Sequence, residues 1–346
     1  MDNLLDIRGL TTQFASPEGV VTAVDGVDLS VIRGRALALV GESGSGKSVT
    51  CASIVGLPPA GAKIVAGEVR FNGVDLMKER PAALSALRGR RIGMVLQNAM
   101  TALNPVLTVG AQLAETFRRH RGVRRRAELR RLSIEALEAV GISGAAERLG
   151  SYPFQLSGGM RQRVCIAIAV ACEPELLLCD EPTTALDVTV QLQILQLLRN
   201  LQRQRAMTVI FVTHDLHVAS RFCDDVAVMY AGRIVERGPI GRVFAEPAHP
   251  YTEGLLRATP SLETINGRLA TLPGQVPAGP ATPPGCRFAE RCSEAHEQCR
   301  SAYPDWFGWD DAGARSAACW NVPRRVHLHA SGTGPESARA SRRTPA

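Results

Sequence analysis

The 346-residue sequence has no run of about 18 or more apolar residues that could span a bilayer. Its longest strongly apolar stretch, Val164–Cys172, falls far short. The opening MDNLLDIRGL carries acids at Asp2 and Asp6 and no apolar core of the length a secretory signal needs. No C-x2-C pair occurs, so the tight ligand spacing of zinc ribbons and knuckles is missing. No internal repeat is found. These absences predict a cytoplasmic protein, soluble or peripheral to a membrane. Disulfides are not expected in that reducing compartment.

What is present is ordinary for a folded chain: 45% apolar and 21% charged residues, enough for one large domain with an appendage or for two domains. The net charge of +7 comes largely from Arg118–Arg131 (RRHRGVRRRAELRR) and from the tail beyond Arg324. The basic run reads as a solvated helical face, with lipid headgroups or a partner as the alternative; nucleic acid is not expected as a partner.

Residues 4–40 alternate apolar and polar positions, with turn signals at Pro17–Gly19 and Arg33–Gly34, which predicts short antiparallel strands. RALALV (Arg35–Val40) reads as a buried strand, followed by a helix that Pro58 and Pro59 stop. Residues 98–173 are mostly helical in pattern. ELLLCDEP and TVIFVTHD are near-continuous hydrophobes of strand length around a helical segment, the pattern of parallel strands covered on both faces. The chain thus reads as α/β, with chemically capable residues at three strand ends that should converge. A domain is expected over 1–240, a linker over 241–285, a cysteine region over 286–322 and a disordered tail over 323–346.

GESGSGKS matches G-x-x-x-x-G-K-[ST] between a predicted strand and a predicted helix. Gly41, Glu42, Ser43, Gly44, Ser45, Gly46 and the start of the helix at Lys47, Ser48 and Val49 are the expected phosphate cradle. Lys47 supplies a charge to the β- and γ-phosphates and the Ser48 hydroxyl a ligand to Mg²⁺. Asp180 ends a hydrophobic strand, where a magnesium-orienting carboxylate belongs. Glu181, one step further on, can accept a proton from the attacking water. His214 ends the third strand, level with a γ-phosphate, and Gln97 can touch Mg²⁺ or the lytic water. A second serine–glycine turn, Ser157–Gly158–Gly159, opens another helix and is a second anion cradle, this one without a lysine.

Taken in order and spacing, GESGSGKS, Gln97, LSGGM, LLLCDEP, TALD (Thr184–Asp187) and His214 resemble the ATP-binding subunit of an ABC transporter over about residues 4–240. The resemblance implies a P-loop NTPase (RecA-like) core with an antiparallel β subdomain, a helical subdomain at about 98–173 holding the signature LSGG, and a C-terminal cysteine-containing extension. It implies that the signature of one subunit faces the γ-phosphate held by the phosphate loop of another, which explains two cradles in one chain. Asp187 would lie at that subunit interface, and Phe14 is the candidate to stack on adenine. Met160 stands where many members have glutamine.

QNAMTALNPVLTVG after Gln97, AHPYTEGLL near Pro250 and GCRFAERC resemble the oligopeptide and dipeptide importer branch, extending the likeness to about residue 320. Asn98–Ala99–Met100 departs from that branch's usual Asp-Pro-Met. Cys51, Cys165, Cys172, Cys179 and Cys223 sit in apolar periodic segments and read as buried small hydrophobes. Cys286, Cys292, Cys299 and Cys319 suit an iron–sulfur cluster at least as well as zinc, with free thiols as the third option. The branch resemblance points to a 4Fe-4S centre. The resulting expectation is an ATPase on the cytoplasmic face of the inner (plasma) membrane that energises peptide import. Its implied partners are a second ABC ATPase subunit, two permease subunits and, indirectly, an extracytoplasmic solute-binding protein. Similar subunits import nickel, glutathione or opines. A soluble ABC protein of DNA repair or the ribosome is the rival, and neither long coiled coils nor a second cassette is present to favour it.

Overall fold

A computed structural model of the chain describes residues 2–184, 186–259, 272–277, 279, 283–309, 314–323 and 325–326. Its first two strands, β1 (Asn3–Ser16) and β2 (Gly19–Ile32), are longer than the alternation alone predicted. They stay paired through several register shifts, which absorb breaks in the apolar pattern without ending the ribbon. With β4 (Ala62–Phe71) and β5 (Val74–Asp75) they form an antiparallel sheet in the order β2-β1-β4-β5.

Between β2 and β4 lie β3 (Ala36–Val40), all five residues buried, and helix α1 (Lys47–Ile54). Helix α2 (Pro81–Leu87) and β6 (Ile92–Val95) follow. Next comes the helical block: α3 (Ala99–Ala102), α4 (Val109–Arg121), α5 (Arg126–Ala139), α6 (Ala145–Arg148) and α7 (Gly158–Val170). The chain then re-enters the core as β7 (Leu176–Asp180), α8 (Val188–Gln204), β8 (Thr208–Thr213), α9 (Leu216–Phe222), β9 (Asp225–Tyr230) and β10 (Arg233–Pro239). The basic run falls on α4, α5 and the turn between them; Arg118 pairs with Glu115, and Arg131 with Glu135.

Strands β6, β7, β8, β3 and β9 run parallel, and each core strand feeds both faces. Leu177, Cys179, Val209 and Phe211 join one hydrophobic cluster with residues of α7, α8 and α9. Leu176, Leu178, Ile210 and Val212, their neighbours in sequence, join a second cluster under the antiparallel sheet and α1. Strands walled on both sides have no polar face to lose, which is why their sequences read as unbroken hydrophobes. It also leaves the carboxyl edge of the sheet as the place where polar side chains can gather.

Residues 241–285, expected as a linker, include two helices. Helix α10 (Ile240–Ala245) begins just before this stretch, and α11 (Pro250–Ala258) lies wholly within it. The His249 side chain accepts the Tyr251 N–H and Pro250 sits at the first helical position, a capped start. Tyr251 is fully buried, its ring 4.6 Å from Tyr230, and that burial holds α11 on the core. Of the rest of the expected linker, most of 260–282 lies outside the described residues, as does nearly all of the 323–346 tail. Helix α12 (Glu297–Ser301) and two short strands, β11 (Phe307–Gly308) and β12 (Ser316–Ala317), follow. β12 pairs with β10, so the cysteine region is stitched to the edge of the main sheet. Among the described residues no helix is long and apolar enough to cross a membrane.

The two-sided core makes a stability prediction. Phe211→Ala removes a fully buried ring that packs 4.9 Å from Phe222 and should cost about 3–5 kcal/mol in urea unfolding. Phe154→Ala, at a ring that is 69% exposed, should change stability by less than about 0.5 kcal/mol. Equal losses at both sites would contradict this layering.

Candidate ATP site

The phosphate loop leaves β3 at Gly41 and is folded tightly against its neighbours. A Cβ at Gly41 would lie 2.2 Å from the Met229 carbonyl oxygen, and one at Gly46 2.3 Å from that of Ala23. Gly46 also takes φ +104°, a conformation costly for any side chain. Inside this turn the Lys47 ammonium, only 4% exposed, donates to the carbonyls of Gly41 and Glu42 at 2.8 Å each and to Ser45 Oγ at 3.4 Å. Burial lowers its pKa, an effect that Glu181, Asp180 and Glu42 partly offset. Ser43 and Gly44 are exposed on the outer turn, while the Val49 side chain packs into the core beneath.

The other two strand ends arrive where expected. The Ser48 hydroxyl donates to Asp180 Oδ1 at 2.9 Å. Burial raises the Asp180 pKa; Ser48 and Lys47 pull it back and the Glu181 charge adds to the rise. Glu181 turns out of the sheet at φ +45°, a strained conformation for a residue with a side chain. Its carboxylate accepts from His214 Nδ1 at 3.3 Å, from Gln97 Nε2 at 3.1 Å and from Thr184 Oγ1 at 2.9 Å. The His214 contact, followed by Thr184, outweighs burial and lowers its pKa to about 2, while the same contact raises that of His214. The signs set a window. The Glu181 contribution is present above its ordinary value of 4.5 and fades as pH falls toward about 2. The His214 contribution is present below 6.5 and fades as pH rises through the raised value. Adjacent carboxylates thus acquire opposite characters from opposite surroundings.

The signature turn is elsewhere. Ser157 is exposed and caps α7, its Oγ accepting the Met160 N–H at 3.3 Å. A Cβ on Gly158 would meet Leu186, and one on Gly159 would meet Val190. Among the described residues, no hydrogen bond joins Ser157–Gly159 to the phosphate loop. Asp187 caps α8 by accepting the Val190 N–H at 2.9 Å and is otherwise exposed.

A cavity of about 540 Å³ opens beside Glu42, Ser43 and Gly44, between Val21–Ala23 of β2 and Gly274–Pro277 of the C-terminal extension. That volume lies within the range of small-molecule sites. Phe14 is half-buried on β1 opposite Val21, and it does not line this cavity. A glycine cradle, a buried ammonium and a hydroxyl–carboxylate pair of hard oxygens fit a nucleoside triphosphate with Mg²⁺.

Cys286, Cys292, Cys299 and Cys319 all line one cavity of about 10 Å³, together with His249 and Phe288. The Cys286 N–H donates to the Cys299 carbonyl at 2.7 Å, drawing the segments together. Burial pushes the Cys286 thiol up to about 11 and that of Cys319 up to about 12, and raises Cys292 as well. The soft donor set fits a thiolate-held metal centre. Yet among the described residues no group of three or more histidine, cysteine or acidic side chains is spaced to hold a metal ion. The five scattered cysteines behave as expected: Cys51, Cys165, Cys179 and Cys223 are buried and Cys172 is half-buried.

Sequence reasoning missed four contributors. Thr184 holds Glu181, although it lies inside the TALD run. Tyr251 Oη accepts the Glu42 N–H at 2.9 Å, Arg291 grips the Glu42 carboxylate, and Arg287 pairs with Asp25. All three extension residues sit inside AHPYTEGLL or GCRFAERC, but nothing local aims Tyr251 and Arg291 at a loop more than 200 residues away, or Arg287 at Asp25 on β2.

Comparison with known proteins agrees with this geometry. Residues 24–184 match the ABC transporter family model, and residues 235–299 the model of the oligopeptide/dipeptide transporter C-terminal region. A Brucella abortus (strain 2308) protein, provisionally named a peptide import ATP-binding protein, is 48% identical over 87% of this chain and 90% of its own length. The oligopeptide transport ATP-binding protein AppD of Bacillus subtilis (strain 168) is 44% identical over 88% of this chain and 93% of its own length. The bacterial ABC transporter cassette MJ0796, solved as a dimer, aligns with 68% of this chain and 98% of its own at TM-score 0.62 and 30% identity. The same cassette, as a post-hydrolysis dimer bound to ADP and Pi, aligns equally well. Identity of this level across nearly the whole chain reaches well beyond the short motifs, and the chain belongs to the ABC transporter family as one of its ATPases.

Proposed function

We propose that the chain is the ATP-hydrolysing subunit that energises import of di- or oligopeptides, acting at the cytoplasmic face of the plasma membrane. It works with a second ATPase subunit and two membrane permeases, and a solute-binding protein delivers the peptide from outside. The observation that carries the reading is the separation of the two cradles. Lys47, Ser48, Asp180, Glu181 and His214 meet at one sheet edge, while Ser157–Gly159 opens α7 apart from them. The peptide assignment rests on the match of residues 235–299 and on the relatives' names.

In this mechanism the triphosphate enters the loop and draws the Lys47 ammonium from the Gly41 and Glu42 carbonyls onto its β- and γ-oxygens. Ser48, Asp180 and Gln97 would hold Mg²⁺, which supplies charge neutralisation for the transferring phosphoryl group. Glu181 accepts the proton of the attacking water, and His214 orients Glu181 and contacts the γ-phosphate. Ser157, Gly158 and Gly159 of the companion subunit bring hydroxyl and N–H donors to that phosphate, closing the pair around ATP. Asp187 stands at the junction, and Phe14 belongs to the base-binding side. Hydrolysis passes the γ-phosphoryl group to water, and departure of the resulting phosphate removes the charge that joins the two halves and lets them part.

An apolar surface suits docking to the permeases. Val106 and Phe154 are 75% and 69% exposed, Leu107 and Tyr152 are exposed, and the Val109 N–H bond to Ser151 O at 2.9 Å ties the two segments together. For the four late cysteines the reading is a 4Fe-4S centre of structural role; they line one cavity but are not spaced to hold a metal as they stand, so such a centre would have to draw their segments closer.

Glu181→Gln should bind ATP and lose hydrolysis by about 10²–10³-fold or more; hydrolysis at the parental rate would remove Glu181 from the base role. In the same variant, without nucleotide or Mg²⁺, the His214 pKa read by NMR should drop, because the carboxylate that raises it is gone. Protein purified without oxygen should contain iron and sulfide, both lost in Cys286→Ser. Stoichiometric zinc, or no metal, would reject the cluster.

A further inference from the structure

Glu42, the second residue of the phosphate loop, is held at three points. Its carbonyl accepts from Lys47, its N–H is taken by Tyr251 Oη at 2.9 Å, and its carboxylate faces Arg291. The Arg291 pair is a two-pronged fork: Nη1 lies 2.7 Å from Oε2 and Nη2 2.9 Å from Oε1. The Arg291 side chain is 7% exposed, against 27% for Glu42, so solvent screens this contact weakly. Its Nε donates to the Pro273 carbonyl at 2.7 Å, and its guanidinium lies over the rings of Tyr230 and Phe288. One planar group therefore fixes both the phosphate loop and the segment Gly274–Pro277 that forms the far wall of the cavity.

We propose that Arg291 is a positioning residue for nucleotide binding. Through Glu42 and the Pro273 carbonyl, the C-terminal extension completes the ATP site of its own chain. The inference rests on the nucleotide site proposed above and adds a cis contribution that neither cradle supplies. When Lys47 leaves the Glu42 carbonyl for the phosphates, Arg291 and Tyr251 remain to keep the loop in place. Arg291 directly precedes Cys292, and Phe288 touches both Tyr251 and the cysteine cavity, so the clamp on the loop adjoins that cavity at two points. Lysine at position 291 would keep the charge and lose the fork, so it should restore little.

The test is steady-state ATPase kinetics and calorimetric titration with Mg-ADP on the full chain. Arg291→Ala should raise the KM for ATP and the Kd for ADP about ten-fold, with kcat falling less than two-fold. Arg291→Lys should recover only part of this. In a Glu42→Gln background the Arg291→Ala effect should shrink, because the two groups act as one unit. Arg315→Gln, which breaks the extension's ion pair with Glu246 away from the cavity, should leave both constants unchanged. Unaltered KM and Kd in Arg291→Ala, equal shifts in Arg315→Gln, or full additivity with Glu42→Gln would each overturn the proposal. Failure of the parental chain to bind Mg-ADP would instead reject the underlying nucleotide site.

Discussion

A buried ammonium needs acceptors, because desolvating a charge without them costs more than a small domain can offset. Here Lys47 rests on backbone carbonyls of its own loop, and three nearby carboxylates act on it from a distance. The rest of the architecture follows from keeping that arrangement at the edge of a sheet. β3 is covered on both faces, which packs its end firmly into the core. Gly41 and Gly46 let backbone pass where no side chain would fit. The carbonyls that satisfy the ammonium are weaker partners than a triphosphate, so Lys47 can exchange them for phosphate oxygens.

The two carboxylates after β7 show how one short sequence yields two chemistries. Asp180 faces inward, where burial favours its neutral form until a cation arrives. Glu181 swings outward under backbone strain and collects three donors, which keep it ionised. A group so well solvated by protein is a poor base at rest. In the proposed mechanism its base strength would rise if Gln97, Thr184 or His214 gave up its contact to Glu181 in favour of the substrate.

Much of this was legible because it is local. Asp180, Glu181 and His214 stand at the ends of runs of buried hydrophobes, Lys47 and Ser48 close the glycine-rich turn that leaves another such run, and strand ends in a parallel sheet must converge. The signature at Ser157 was legible for the same reason, as a capped helix start. The helices at 240–258 were not, since each is short and the surrounding histidine, proline and glycine resemble a linker; the burial of Tyr251 is a tertiary fact. Phe14 was placed correctly on a strand, but strand alternation does not reveal which residues wall a cavity, and Val21–Ala23 do so instead. The grip of Arg291 on Glu42 joins residues 249 positions apart, and no periodicity carries that information. The cysteines illustrate the converse: their type and the branch resemblance suggested one centre, and the fold brings all four to line one cavity.

The central claim is that each ATP is held by Lys47 of one chain and Ser157 of another. Mixing two inactive variants, Lys47→Ala and Ser157→Arg, tests it most directly. Mixed pairs would contain one site built from an intact phosphate loop and an intact signature, so ATPase activity should return on mixing and rise with protein concentration. A mixture as inactive as either variant alone, under conditions where the chains associate, would contradict the account.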